Sequence, residues 1–242
     1  MMHRLVLIAV LLGGITGDAG VHVGNQSRAV HVAPAVAPVN PAAFLNANLV
    51  SYMTMTSVTD SILGSHWTAL NTTFSAANGK IGNGAGFTGV FQGSYINGTV
   101  VAINGPFSVS LWVKPAALTT CAGLMGGQNL LFSLVATSGQ VALGSFAVPT
   151  VYATHISTGV WTHLLITSKA DGATPVKLYV NGVLDAATGP LLSQFTWVMY
   201  GGDNNTCYMN GALDEVGVWN VEQPASAATT LYNGGAGRQY PF

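Results

Sequence analysis

Eight side chains of this sequence carry a carboxylate: Asp18, Asp60, Asp171, Asp185, Asp203, Asp214, Glu215 and Glu222. Glycoside cleavage needs two such groups aimed at one bond, about 5–5.5 Å apart in a retaining reaction. No E-x-D-x-x-E arrangement occurs, and the only adjacent pair is Asp214 and Glu215, within GALDEVGVWN (211–220). With period two, Asp214 falls on one face with Val216 and Val218, and Leu213, Glu215, Gly217 and Trp219 fall on the other. Neighbours on opposite faces cannot flank one bond, but a carboxylate among valines needs a partner. G-x-S-x-G and H-E-x-x-H are both absent. His155 and His163 lie in or beside strands with no acid or nucleophile at motif spacing, which reads as a structural role.

Three further groups of residues have types suited to chemistry. Asp203, Asn204 and Asn205, in GGDNNTC (201–207), suit a cation or a sugar; the same residues also suit a plain turn, because Asn and Asp tolerate left-handed backbone. Trp112 and Tyr179 point away from the apolar stripes of their strands. They are therefore expected on an exposed ligand face or subunit interface. Cys121 and Cys207, the only cysteines, form either one disulfide or two buried thiols.

The elements that must position these residues are strands. FSVSLWVKP (107–115) puts Phe107, Val109, Leu111 and Val113 on one face, and Pro115 ends it. VKLYVNG (176–182) alternates likewise and closes on Asn181-Gly182, a hairpin signal. WTHLLITSK (161–169), NLLFSLV (129–135) and QVALGSF (140–146) add strands, with Ser138-Gly139 turning between the last two. Only QPASAATTLYNGG (223–235) offers helix, as one short turn. Many short strands with glycine-rich turns predict an all-β, antiparallel two-sheet sandwich. Ahead of it, residues 1–19 read as an apolar segment, either a signal peptide or an assembly arm. Residues 20–47 read as an extended Pro/Ala/Val-rich linker or arm, and the domain as 48–242.

Hydrophobic residues make up 49% of the chain and charged ones 6%, with net charge −1. Scattered basic residues give no footprint for nucleic acid. The apolar run at 5–12 is too short to span a bilayer. So little charge does little to oppose association, which suits an extracellular or assembled protein and leaves homo-oligomers open.

Four stretches in order (48–89, 107–115, 161–184 and 210–240) together resemble the laminin-G-like, concanavalin A-like jelly-roll family of secreted bacterial and bacteriophage proteins. The resemblance implies a jelly roll that binds or displays rather than catalyses. It also implies a calcium site joining an early loop to a late strand, at Asp60 and Asp214 here, although the early loop holds a single acid. The other reading is that loop amides satisfy Asp214 without a metal. Two roles are expected. The leading one is a virion decoration or fibre protein, docked on protein neighbours through residues 1–45. The other is a secreted carbohydrate-binding module or adhesin recognising cell-surface glycan. Both sit on an extracellular or virion surface.

Overall fold

The structure, a computed structural model, describes residues 40–242 apart from 65, 119–120, 128–130, 146 and 203–206. The expected segment 1–19 and most of the arm at 20–47 lie outside the described residues, as do Asp203, Asn204 and Asn205.

In chain order the strands are β1 (Leu49–Met53), β2 (Trp67–Leu70), β3 (Thr73–Ser75), β4 (Gly84–Thr88), β5 (Tyr95–Ile103), β6 (Phe107–Pro115), β7 (Ala122–Gly126) and β8 (Leu131–Leu134). They continue as β9 (Gln140–Gly144), β10 (Pro149–His155), β11 (Thr162–Ser168), β12 (Lys177–Val180), β13 (Val183–Leu184), β14 (Phe195–Tyr200) and β15 (Asn210–Trp219). One helix, α1 (Ala225–Tyr232), follows. The front sheet has the order β13-β12-β11-β6-β15-β4-β3, with β1 also on β15; the back sheet runs β10-β9-β8-β7-β14-β5-β2. All described pairings are antiparallel.

The core between the sheets takes the alternating apolar positions the sequence predicts: Phe107, Val109, Leu111 and Val113 from β6, and Leu178 and Val180 from β12. The Asn181-Gly182 turn has positive φ at both residues, as a tight hairpin with right-handed twist requires. A second apolar cluster lies on the outer face of the front sheet, where Leu165, Tyr179 and Trp219 pack against Ala227, Ala228 and Leu231 of α1 and against Phe242. The helix is two turns long rather than the single turn expected, and ends where Asn233 turns left-handed.

The domain also begins earlier than expected. Residues Ala43–Asn46 form a 3-10 turn, not extended chain, and Ala42 and Leu45 are buried in the outer cluster. The carbonyl of Leu45 accepts from Trp219 Nε1 at 2.6 Å.

β15 departs from strict alternation. Its lower half, Asn210–Leu213, pairs β4, and its upper half, Val216–Trp219, pairs β1. Between them a bulge shifts its register against β6, and Glu215 takes φ 49°. Leu213, Val216 and Val218 therefore all face the core. Asp214, opposite Trp112, faces outward, so its predicted grouping with the two valines is corrected.

Candidate functional site

The C-terminal segment covers most of the outer face of the front sheet and leaves one end open. There the register lines up Thr73, Gly86, Ala212 and Lys114 across β3, β4, β15 and β6. A groove of about 250 Å³ lies along this row, with Asn78 set over Gly86 as part of its lining. The next row adds Thr88 and Asn210 to its lining. Gly86 leaves room for the Asn78 side chain, because a Cβ there would meet Asn78 Nδ2 at 2.2 Å. Asn78 Nδ2 donates to Thr73 Oγ1 at 2.9 Å. Lys114 Nζ donates to the Ala77 carbonyl at 3.2 Å and lies 5.0 Å from the centre of the half-buried Trp161 ring. The amides of Asn78 and Asn210 and the hydroxyls of Thr73 and Thr88 are groups that recognise a polyhydroxylated ligand. A second cavity, about 320 Å³, offers only Asn104 and Asn220 as polar side chains among largely aliphatic walls.

None of the groove residues is legible as a site in the sequence. Thr73, Gly86, Ala212 and Lys114 are far apart in the chain and come together only through register. Trp112 and Tyr179, expected to be exposed, are 2% and 7% exposed. Tyr232 stacks on Trp112 at 5.8 Å, Lys80 Nζ lies 4.6 Å above the same ring, and α1 covers Tyr179. Gly237 lets the tail approach, since a Cβ there would lie 3.1 Å from Trp112 Nε1. Exposed aromatic surface is found instead at Phe91, which is 61% exposed and meets Tyr208 edge-on at 5.5 Å.

The bulge brings the Asp214 and Glu215 carboxylates to the same outer side, not to opposite faces as alternation predicts. Both are sealed there, 0% and 3% exposed. Asp214 accepts from the backbone amides of Lys80 at 2.7 Å and Ile81 at 2.9 Å, and from that of Glu215. Glu215 accepts from the Tyr52 hydroxyl and from Gln239 Nε2 at 2.8 Å. Burial pushes Asp214 up to about 6, against those three amides. Burial likewise pushes Glu215 up to about 8, with the Asp214 charge beside it adding to the shift. Burial raises the Tyr52 hydroxyl too.

Asp60 belongs elsewhere. It accepts from Ser51 Oγ at 2.5 Å and from the amides of Tyr52, Ile62 and Leu63. Ser51 neighbours the outward Tyr52 and so points to the core side, opposite to Asp214. Asp60 closes the loop after β1, whereas Asp214 holds the loop before β4. Among the described residues no group of three or more His, Cys, Asp or Glu could hold a metal. Two carboxylates on opposite sides of a sheet, each turned to amide donors, do not fit one shared calcium.

Ser110 Oγ lies 2.8 Å from His163 Nε2, a contact no motif spacing announced. The pair is buried, His163 Nδ1 has no partner, and burial lowers this histidine to about 3. A neutral imidazole with no acid on its second nitrogen lacks the orienting third group of a catalytic triad. Cys121 and Cys207 are joined in a disulfide with Cα atoms 4.9 Å apart.

Two antiparallel sheets of this connectivity define a jelly-roll sandwich. The chain belongs to the concanavalin A-like lectin/glucanases superfamily, whose model matches residues 87–227, more than half of it. Domain 4 of AbnA, a GH43 extracellular arabinanase from Geobacillus stearothermophilus solved with arabinotriose, is 25% identical at TM-score 0.59; the match covers 76% of this chain and 97% of that domain. The binding domain of Paraclostridial Mosquitocidal Protein 1 is 16% identical at TM-score 0.57, covering 77% of this chain and 52% of that one. Trypanosoma rangeli sialidase is 17% identical at TM-score 0.59, covering 80% of this chain and 34% of the sialidase. The chain thus spans about half of that binding domain and a third of the sialidase. No curated protein sequence matches it.

Proposed function

We propose that residues 40–242 form a non-catalytic carbohydrate-binding module working outside the cell, with the groove between Thr73 and Lys114 as its sugar site. The observation that carries this reading is the match to nearly the whole of the arabinanase domain, a protein solved with a bound oligosaccharide. The amide and hydroxyl side chains of Thr73, Asn78, Thr88 and Asn210 supply the matching chemistry. Absence of catalysis is supported by Asp214 and Glu215, whose carboxylates are sealed by the Lys80–Ile81 loop and by the C-terminal segment rather than aimed at a cleft. A disulfide suits an oxidising exterior. Among the described residues no helix is long and apolar enough to cross a membrane.

The decoration or fibre reading rests on residues 1–45, mostly outside the described ones, and none of the solved relatives named above is a virion protein. It is the less supported of the two expectations. Asp60 and Asp214 are proposed to act through hydrogen bonds alone, without calcium.

Titration calorimetry with arabinotriose and a panel of oligosaccharides tests the module. Binding should be found, and Asn210→Ala and Trp161→Ala should each weaken it while the melting temperature holds. A wild-type protein silent across the panel would sink the reading.

A further inference from the structure

We propose that the groove selects saccharides bearing a carboxylate, and that Lys114 reads that charge. The inference rests on the carbohydrate-binding reading of the same groove and adds the class of sugar.

Among the described residues Lys114 is the one charged side chain lining the groove. Its ammonium has three donors. One is used by the neutral Ala77 carbonyl, and the Trp161 ring supplies only a quadrupole. Among the described residues no counter-charge answers it. The acids among the described residues are all committed elsewhere. Asp60, Asp214 and Glu215 are buried in the contacts given above. Asp185 accepts from the amides of Ala153, Thr154 and Ala187. Asp171 caps its own turn through Ala173 and Thr174. Glu222 pairs with Lys177 at 3.0 Å, the ion pair found among the described residues. Other basic groups are likewise placed away from the groove: Lys80 lies over Trp112, and Arg238 Nε donates to the Thr230 carbonyl.

The position of Lys114 is fixed by the sheet. It closes the row Thr73, Gly86, Ala212, Lys114; Asn78 fills the space over Gly86 and the Lys114 ammonium reaches back to the neighbouring Ala77 carbonyl, so a sugar in the groove meets the ammonium close to the Asn78 amide. Thr88 and Asn210 flank it with neutral hydrogen-bonding groups suited to hydroxyls. A groove with one unanswered cation and no acid favours an anionic ring substituent over a hydroxyl, because a charge-assisted hydrogen bond is the stronger one. Uronic and sialic acids share that carboxylate.

The test compares trigalacturonate with its methyl ester, and sialyllactose with lactose, by calorimetry at low salt on the full chain and on Lys114→Gln and Lys114→Arg. At least one acidic sugar should bind roughly tenfold tighter than its neutral counterpart, the worth of one charge-assisted contact. The pair that shows the preference tells uronate from sialate. The preference should vanish in Lys114→Gln, survive in Lys114→Arg and fade in concentrated salt. Equal binding of charged and neutral members overturns the inference while leaving the module reading intact. So does a preference that persists in Lys114→Gln. Should Lys114→Gln not fold, a preference in the wild type that salt leaves unchanged overturns it instead. If none of the four sugars nor arabinotriose binds, the module reading falls and this inference with it.

Discussion

The Tyr52 hydroxyl donates to the Glu215 carboxylate beneath the C-terminal segment, joining the first strand of the front sheet to the bulge in its central strand. The bulge is where β15 changes partner from β4 to β1, so its backbone has no edge neighbour there. Tyr52 and the loop at Lys80–Ile81 fill that gap with side-chain and amide donors.

This contact makes stability depend on pH with a definite sign. Glu215 holds its proton up to about pH 8 in the fold and releases it near 4.5 when unfolded. A raised acid pKa means the folded state binds more protons, so stability falls as pH rises through that window. His163, lowered from 6.5 to about 3 by burial, contributes the opposite slope, which fades as the unfolded imidazole loses its proton above pH 6.5. Between pH 7 and 8 Glu215 therefore sets the sign, a loss on the order of 1 kcal/mol. Denaturant melts at several pH values should show it, and Glu215→Gln should flatten it.

Removing the Asp214 carboxylate strands the Lys80 and Ile81 amides. Asp214→Ala should cost roughly 2–4 kcal/mol, the range for losing a buried group with several hydrogen bonds. Hydrogen exchange should speed up at residues 79–83 first. Adding calcium or a chelator should leave the wild-type melting temperature unchanged; a calcium-dependent rise would reinstate a metal at Asp60 or Asp214.

The Cys121–Cys207 disulfide closes a loop with a sequence separation of 86. Reduction should cost about 2–4 kcal/mol. Melts with and without reductant, alongside the Cys121→Ser, Cys207→Ser double variant, measure it.

Trp112→Ala opens a void under Tyr232 and the tail, at a cost of roughly 3–5 kcal/mol. Sugar affinity of the folded protein should not move, because this ring lies under the covered part of the sheet. A large loss of affinity at unchanged stability would put Trp112, not Trp161, beside the sugar.

The sandwich was legible because its strands obey period two. Phe107 to Val113 and Leu178 to Val180 alternate cleanly, and a strand buried between sheets leaves no other reading. The pattern says which side of a strand a residue takes but not what covers that side. That is why Trp112 and Tyr179 were expected in solvent. Glu215 escaped because period two assumes every residue is extended, and nothing local marks a glutamate that will adopt positive φ. The groove was illegible for a related reason: Gly86 and Ala212 look like ordinary small strand residues until register sets them side by side between Thr73 and Lys114.

Asn46 Nδ2 donates to the Phe242 carbonyl at 2.9 Å, and the Phe242 amide donates back to Asn46 Oδ1 at 2.9 Å. The first turn of the fold and its last residue are thus clasped side by side. A body whose entrance and exit coincide can hang from a host polypeptide as a pendant or be spliced into one of its loops as a cassette, without the host having to stretch around it. It also lends itself to circular permutation: a short bridge across that clasp would free any exposed turn, such as the one at Asp171–Thr174, to become the new pair of ends.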